Sequence, residues 1–168
     1  MTLPVLCLYR SQHENQSWVG SLTAILDAAS LVLAVTEEGP KDQAQFTFAM
    51  ARHAVVDLAH VFNAAPHDPT DGRLPPDEFA RLYDGLRVGG ISLLERGAAE
   101  RELRRLRELY EPYCGALAQF LSVTLPPWNA PPGEVDNWRK SAWQKKAPVV
   151  IGRSSVEADA GAEPLASG

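Results

Sequence analysis

QAQFTFAMARHAVVDLAHVFN, residues 43–63, carries the clearest helical pattern of the chain. Its apolar side chains recur at alternating intervals of four and three residues, which places them on one stripe of an α-helix. The stripe consists of Ala44, Phe48, Ala51, Val55, Leu58 and Phe62. Ala65-Pro66 follows and ends the pattern. The segment therefore predicts a helix with one buried face.

Three further segments have helical spacing. The first covers residues 18–36 and stops at Gly39-Pro40; its predicted buried face is Trp18, Leu22, Ile25, Leu26, Ala29 and Leu33. A short one follows Pro75-Pro76, buries Phe79, Leu82, Tyr83 and Leu86, and closes at Gly89-Gly90. The last begins near Ala98 with the stripe Leu103, Leu106, Tyr110, Tyr113, Leu117, Phe120 and Leu121. Pro112 predicts a kink or break near Tyr110. The fold class expected is all-α, an antiparallel bundle of four to five helices.

The helical domain is expected to cover residues 1–146, with a short helix over 136–146 and a disordered tail over 147–168. Trp128, Trp138 and Trp143 stand in the proline-rich stretch that precedes or enters this last helix. The favoured interpretation is a clasp that folds back on the bundle and buries large aromatic area. The alternative is docking onto a partner or a membrane-proximal surface, with nearby lysines supplying charge, namely Lys140, Lys145 and Lys146.

Composition excludes several classes of function. The chain has 168 residues and a formal net charge of −5, which argues against nucleic-acid binding. Its two cysteines, Cys7 and Cys114, give neither metal-ligand spacing nor a disulfide framework, so a reduced cytoplasmic location is expected. The apolar run over residues 22–35 is interrupted by polar side chains and predicts no membrane insertion by this chain.

Asp27 interrupts an apolar helix and needs an opposite charge if it is buried. Arg52, His53 and Asp57 stand on the second helix, so we predict an Asp27–Arg52 or Asp27–His53 contact that joins the first two helices. The expected role of this internal network is to set the register of the helices rather than to catalyse a reaction.

A metal site is the alternative interpretation of the same helix. His53, Asp57 and His60 share one face at i, i+4 and i+7, and Asp27 or Glu37 could add a ligand from the first helix. One helix offers too few ligands for a closed site, so no metal or other cofactor is predicted. The chain also lacks a nucleophile elbow, a phosphate-binding glycine loop and a His-Glu-x-x-His motif, and no enzyme is predicted.

A dense polar cluster precedes the first helix, and it carries a family resemblance. The matching blocks are LPVL at 3–6, YRSQHENQSW at 9–18, LTAILD at 22–27 and TFAMARHAVVDL at 47–58, followed by YEPY at 110–113, LPPW at 125–128 and DNW at 136–138. Over residues 3–143 the chain resembles the cytosolic C-terminal region of bacterial two-transmembrane potassium-channel-like proteins. The chain itself contains no Thr-Val-Gly-Tyr-Gly-like filter, which conduction of potassium requires.

The resemblance implies a cytoplasmic module that follows a pore domain and acts in assembly or regulation. The expected partners are another protein, a second copy of the chain, or a membrane channel at the inner face of the membrane. The candidate contact surface is Arg10, His13, Asn15, Gln16 and Trp18. Whether the chain is a separated module, a truncated channel or a stand-alone relative stays open at this point.

Overall fold

A computed structural model describes residues 17–67 and 72–129. Five helices form within this part of the chain: α1 (Trp18–Val35), α2 (Lys41–Val61), α3 (Pro76–Val88), α4 (Arg96–Arg107) and α5 (Glu111–Leu121). The all-α prediction is confirmed. The predicted domain boundary at 146, the helix over 136–146, the tail over 147–168, Trp138 and Trp143 lie outside the described residues.

Helix α1 is the centre of the bundle and packs against α2, α4 and α5. It begins where the Ser17 hydroxyl accepts a hydrogen bond from the Gly20 amide at 2.9 Å, an N-cap that satisfies a backbone donor of the first turn. Leu26 and Val35 are fully buried on it. Ile25, predicted on the same buried face, is 44% exposed, because residue 25 lies at the edge of that face.

By length and composition, α1 is also long and apolar enough to span a membrane, with a mean hydropathy of 1.8 over 18 residues. The shorter run over 22–35 predicts no such span, but the whole helix is four residues longer than that run and reaches the length of a span. Core helices pass the same test, and 44% of α1 is buried inside the bundle.

The predicted break near Tyr110 is confirmed. Helix α4 ends at Arg107, three residues in turn conformation follow, and α5 begins at Glu111 with Pro112 in its first turn. Proline is tolerated there because the amide it lacks would have no partner within the helix. The buried stripe keeps its spacing across the break, from Leu106 through Tyr110 to Leu117, but Phe120, one residue before the end of α5, is 52% exposed.

The segment that connects α1 to α2 is hydrogen-bonded to the segment that connects α3 to α4. Thr36 and Leu93 form an isolated antiparallel bridge, in which the Leu94 amide donates to the Val35 carbonyl at 2.9 Å. The Tyr83 hydroxyl donates to the Leu94 carbonyl at 2.7 Å, which ties α3 to the same segment. The described residues contain no β-strand beyond this bridge.

Candidate functional site

Asp27 is buried on the inner face of α1, as the sequence predicts, but its partners come from other elements. Arg73, in the short segment before α3, donates from its two terminal nitrogens to the two Asp27 oxygens at 3.1 and 2.5 Å. The hydroxyl of Tyr110, in the α4–α5 break, donates to Asp27 Oδ1 at 2.6 Å. This bidentate pairing with an added hydroxyl is the arrangement that a buried carboxylate needs.

A second carboxylate extends the network. Glu111 Oε1 accepts from Arg73 at 3.2 Å, and both Glu111 oxygens accept from Arg107 at 3.0 Å. Arg107 and Glu111 are both buried although they stand on either side of the helix break. We call Asp27, Arg73, Arg107, Tyr110 and Glu111 the ionic centre. Its two carboxylates and two guanidinium groups balance in charge, which offsets the cost of removing them from water.

The ionic centre also holds the segment that follows α5. Arg73 donates to the Pro126 carbonyl at 2.7 Å. The guanidinium carbons of Arg73 and Arg107 lie 5.8 and 5.6 Å from the centre of the Trp128 ring, within the range of cation–π attraction. Trp128 therefore folds back on the bundle, as the clasp interpretation expects for this one tryptophan.

The pKa values of three groups in or beside the ionic centre are raised. Desolvation, followed by the charge and hydrogen bond of Asp27, raises the pKa of the Tyr110 phenol far above its ordinary value of 10.0. Burial opposes the positive charge of Arg73, but the contacts with Asp27 and the charge of Glu111 outweigh it and raise the pKa. Burial raises the pKa of the Cys114 thiol from 9.0 to about 11, so this cysteine is a poor nucleophile.

The predicted contact of Asp27 with Arg52 or His53 is wrong. Arg52 instead donates from Nε to the Leu109 carbonyl at 3.0 Å. His53 lies 3.3 Å from Asp57 within α2, and their side chains are 76% and 59% exposed. The ionic centre therefore joins α1 to the α4–α5 break and to residue 73, rather than to α2.

The metal interpretation of His53, Asp57 and His60 finds no support in the geometry. Across residues 17–67 and 72–129, no three His, Cys, Asp or Glu side chains lie close enough together to hold a metal ion. His60 is exposed beside the exposed His53–Asp57 pair. The three residues share one face of α2, but their nitrogen and oxygen atoms do not meet around a common point.

Of the predicted contact surface, Arg10, His13, Asn15 and Gln16 lie outside the described residues, whereas Trp18 is described. The Trp18 ring stacks on Phe62 at 6.5 Å, and Phe62 lies 5.3 Å from Phe120. Phe120 and Val61, the neighbour of Phe62 in sequence, are 52% and 58% exposed. We call Trp18, Val61, Phe62 and Phe120 the aromatic end of the bundle, where α1 begins and α2 and α5 finish.

The sequence identified Asp27 as a buried charge but missed four of the five members of the ionic centre. Arg73 stands in a polar loop with no periodicity to mark it. The one available signal is the i, i+4 spacing of Arg107 and Glu111 in a stripe that otherwise buries apolar side chains. Comparison with protein-family models, curated proteins and solved structures finds no match to this chain.

Proposed function

We propose that the chain is a non-enzymatic helical module that docks onto other protein chains, in the manner of the cytosolic assembly or regulatory region of a potassium-channel-like membrane protein. The resemblance of the blocks at 9–18 and 47–58 motivates the channel part of the proposal. A cytoplasmic location at the inner face of the membrane belongs to the same proposal.

The ionic centre supports a structural rather than a catalytic use of the buried polar groups. All four carboxylate oxygens of Asp27 and Glu111 accept hydrogen bonds from Arg73, Arg107 or Tyr110. A general base or nucleophile needs a lone pair that can reach a substrate. These groups are instead committed to holding α1, α5 and residue 73 in one arrangement.

The observation that carries the proposal is the aromatic end. Half-exposed Phe120 lies beside Phe62, which stacks on Trp18 at the start of α1, and half-exposed Val61 precedes Phe62 in sequence. The polar cluster of residues 10–16 immediately precedes α1 in sequence. Large exposed apolar side chains next to polar residues are typical of protein contact surfaces.

The test starts with the DNA on either side of the coding region, which is expected to encode two hydrophobic helices in the same or an adjacent frame. That product is co-expressed with this chain and purified through a tag on the pore protein. We expect co-purification that Phe120→Glu abolishes and that Val88→Glu, at an 86% exposed position, leaves unchanged. A neighbourhood without such a product, or retention of Phe120→Glu at the parent level, contradicts the proposal.

A further inference from the structure

A groove lies between α2 and α4, both of which pack against α1, and its volume is about 680 Å³. Small-molecule sites usually have volumes of about 300–1,000 Å³, so the groove is large enough to hold a ligand. Its apolar lining consists of Leu33, Phe48, Leu106 and Leu109. Phe48 and Leu106 are buried, whereas Leu33 and Leu109 are only half-buried. The bundle therefore leaves an apolar base partly open to solvent.

Four side chains that can carry a charge also line the groove. Arg105 donates from Nε and Nη2 to the two oxygens of Glu102 at 2.8 and 2.6 Å, so these two charges compensate each other. His53 lies 3.3 Å from Asp57, which is on the same helix. The fourth is Arg52. The groove therefore keeps one positive charge, that of Arg52, without a carboxylate beside it.

The guanidinium group of Arg52 is held in place by the backbone. Its Nε donates to the Leu109 carbonyl at 3.0 Å, which fixes the group between α2 and the turn that follows α4. Within residues 17–67 and 72–129, its two terminal nitrogens donate to no other group. These nitrogens form a planar fork that matches the two oxygens of a carboxylate. Because the fork is already oriented, a ligand loses less affinity to the ordering of this side chain.

The groove is elongated, and Arg52 lies near one end of it. On α2 the lining extends from Gln45 to His53, about 12 Å at 1.5 Å per residue. This shape matches a molecule with one charged end and an extended apolar chain. One uncompensated cation also matches one negative charge. A phosphate monoester carries about 1.5 to 2 negative charges at neutral pH, and its second charge would lie on a surface that already holds Glu102.

We propose that the α2–α4 groove binds an amphipathic monocarboxylate, a medium-chain fatty acid. Its carboxylate accepts hydrogen bonds from the terminal nitrogens of Arg52, and its alkyl chain lies along the apolar lining of the groove. This ligand site goes beyond the proposed docking function and does not depend on it.

The first experiment is isothermal titration calorimetry of the full chain with hexanoate, octanoate and decanoate below their micelle concentrations. We expect one site per chain and an affinity that rises about fourfold for each added methylene, because each is removed from water. Octanol is expected to bind at least tenfold more weakly than octanoate, and octyl phosphate no more tightly than octanoate. The absence of binding at millimolar decanoate, or octanol that binds as tightly as octanoate, overturns the proposal. Tighter binding of octyl phosphate overturns the assignment to a monocarboxylate.

The second experiment locates the ligand with variants whose folding is checked by circular dichroism. Arg52→Met is expected to weaken octanoate binding roughly ten- to hundredfold, as for the loss of a hydrogen bond to a charged group. Its control is Arg104→Met, outside the lining of the groove. Ala49→Trp fills the groove from an exposed position and is expected to abolish binding, whereas Ala28→Trp, at an exposed position on α1, is not. Parent-level affinity in either groove variant overturns the proposal.

The ligand site and the docking function fail separately. Phe120 does not line the groove, so Phe120→Glu is expected to bind octanoate as the parent does even if it no longer co-purifies with a pore protein. Loss of octanoate binding in Phe120→Glu places the alkyl chain at the aromatic end and overturns the groove site. Octanoate binding that depends on Arg52, with no pore product beside the gene, confirms the ligand site and removes the channel part of the proposed function.

Discussion

Replacing Arg73 with methionine tests the central role of the ionic centre. Methionine retains much of the apolar stem but removes the guanidinium group, which contacts Asp27, Glu111 and the Pro126 carbonyl. Asp27 then keeps only the Tyr110 hydroxyl as a side-chain donor, while Glu111 keeps Arg107. The variant leaves one buried carboxylate without its counter-charge.

The expected loss follows from burial. The side chains of Arg73 and Asp27 are 13% and 11% exposed, so water screens their attraction weakly. Removing one member of such a pair typically costs about 3–5 kcal/mol, because the remaining charge stays buried and uncompensated. A domain of this size has a free energy of unfolding of roughly 5–15 kcal/mol. Arg73→Met is therefore expected to be folded but strongly destabilised.

The assay is urea unfolding followed by circular dichroism, with two matched arginine variants. Arg104→Met breaks an exposed pair with Glu100, for which about 0.3–0.5 kcal/mol is expected. Arg52→Met removes one hydrogen bond to the Leu109 carbonyl, for which about 1 kcal/mol is expected. If Arg73→Met costs no more than Arg104→Met, the ionic centre does not stabilise the fold as we argue.

Three further changes probe the same packing. Tyr110→Phe removes the hydroxyl that donates to Asp27, which is expected to cost about 1.5–3 kcal/mol in urea unfolding; a cost near zero would show that this bond is unimportant. Burial raises the pKa of Cys114 from 9.0 to about 11, so between these pH values the unfolded chain releases a thiol proton that the folded chain keeps, and stability falls as pH rises. Cys114→Ala should lessen this fall by about 1.4 kcal/mol per pH unit in unfolding measured from pH 9 to 11, and an unchanged slope would contradict a buried thiol. Ser17→Ala removes the N-cap of α1 and is expected to cost about 1 kcal/mol by thermal unfolding, whereas Ser21→Ala, in the exposed first turn, serves as the control.

The helices could be predicted from the sequence because burial imposes a repeat that a single segment displays. The stripe from Ala44 to Val55 and the break at Pro112 are local properties, and both are confirmed, whereas Leu58 and Phe62 of the predicted stripe are half-buried. Phe120 shows where such reasoning stops. The pattern continues through it, but Phe120 stands one residue before the end of α5 and is 52% exposed, and residue spacing does not show where a helix face passes beyond its neighbours.

The partner of Asp27 could not be predicted for a related reason. The need for a counter-charge follows from burial, which the apolar surroundings of Asp27 in sequence indicate. Arg52 stands on the adjacent helix, whereas Arg73 follows a long connection and lies 46 residues from Asp27. The chemistry of a buried side chain determines whether it needs an opposite charge. The path of the connecting segments determines which charged residue lies close enough to supply it.

The long sequence separations within the ionic centre have a consequence for synthesis of the chain. Asp27 meets its Tyr110 donor 83 residues later, and Arg73 meets the Pro126 carbonyl 53 residues later. Helices α1 to α3 are translated before Tyr110, Glu111 and Pro126, which complete the contacts of Asp27 and Arg73. The nascent polypeptide therefore completes the ionic centre only after Pro126 has left the ribosome, and products shortened before Glu111 are expected to be substrates for chaperones and proteases.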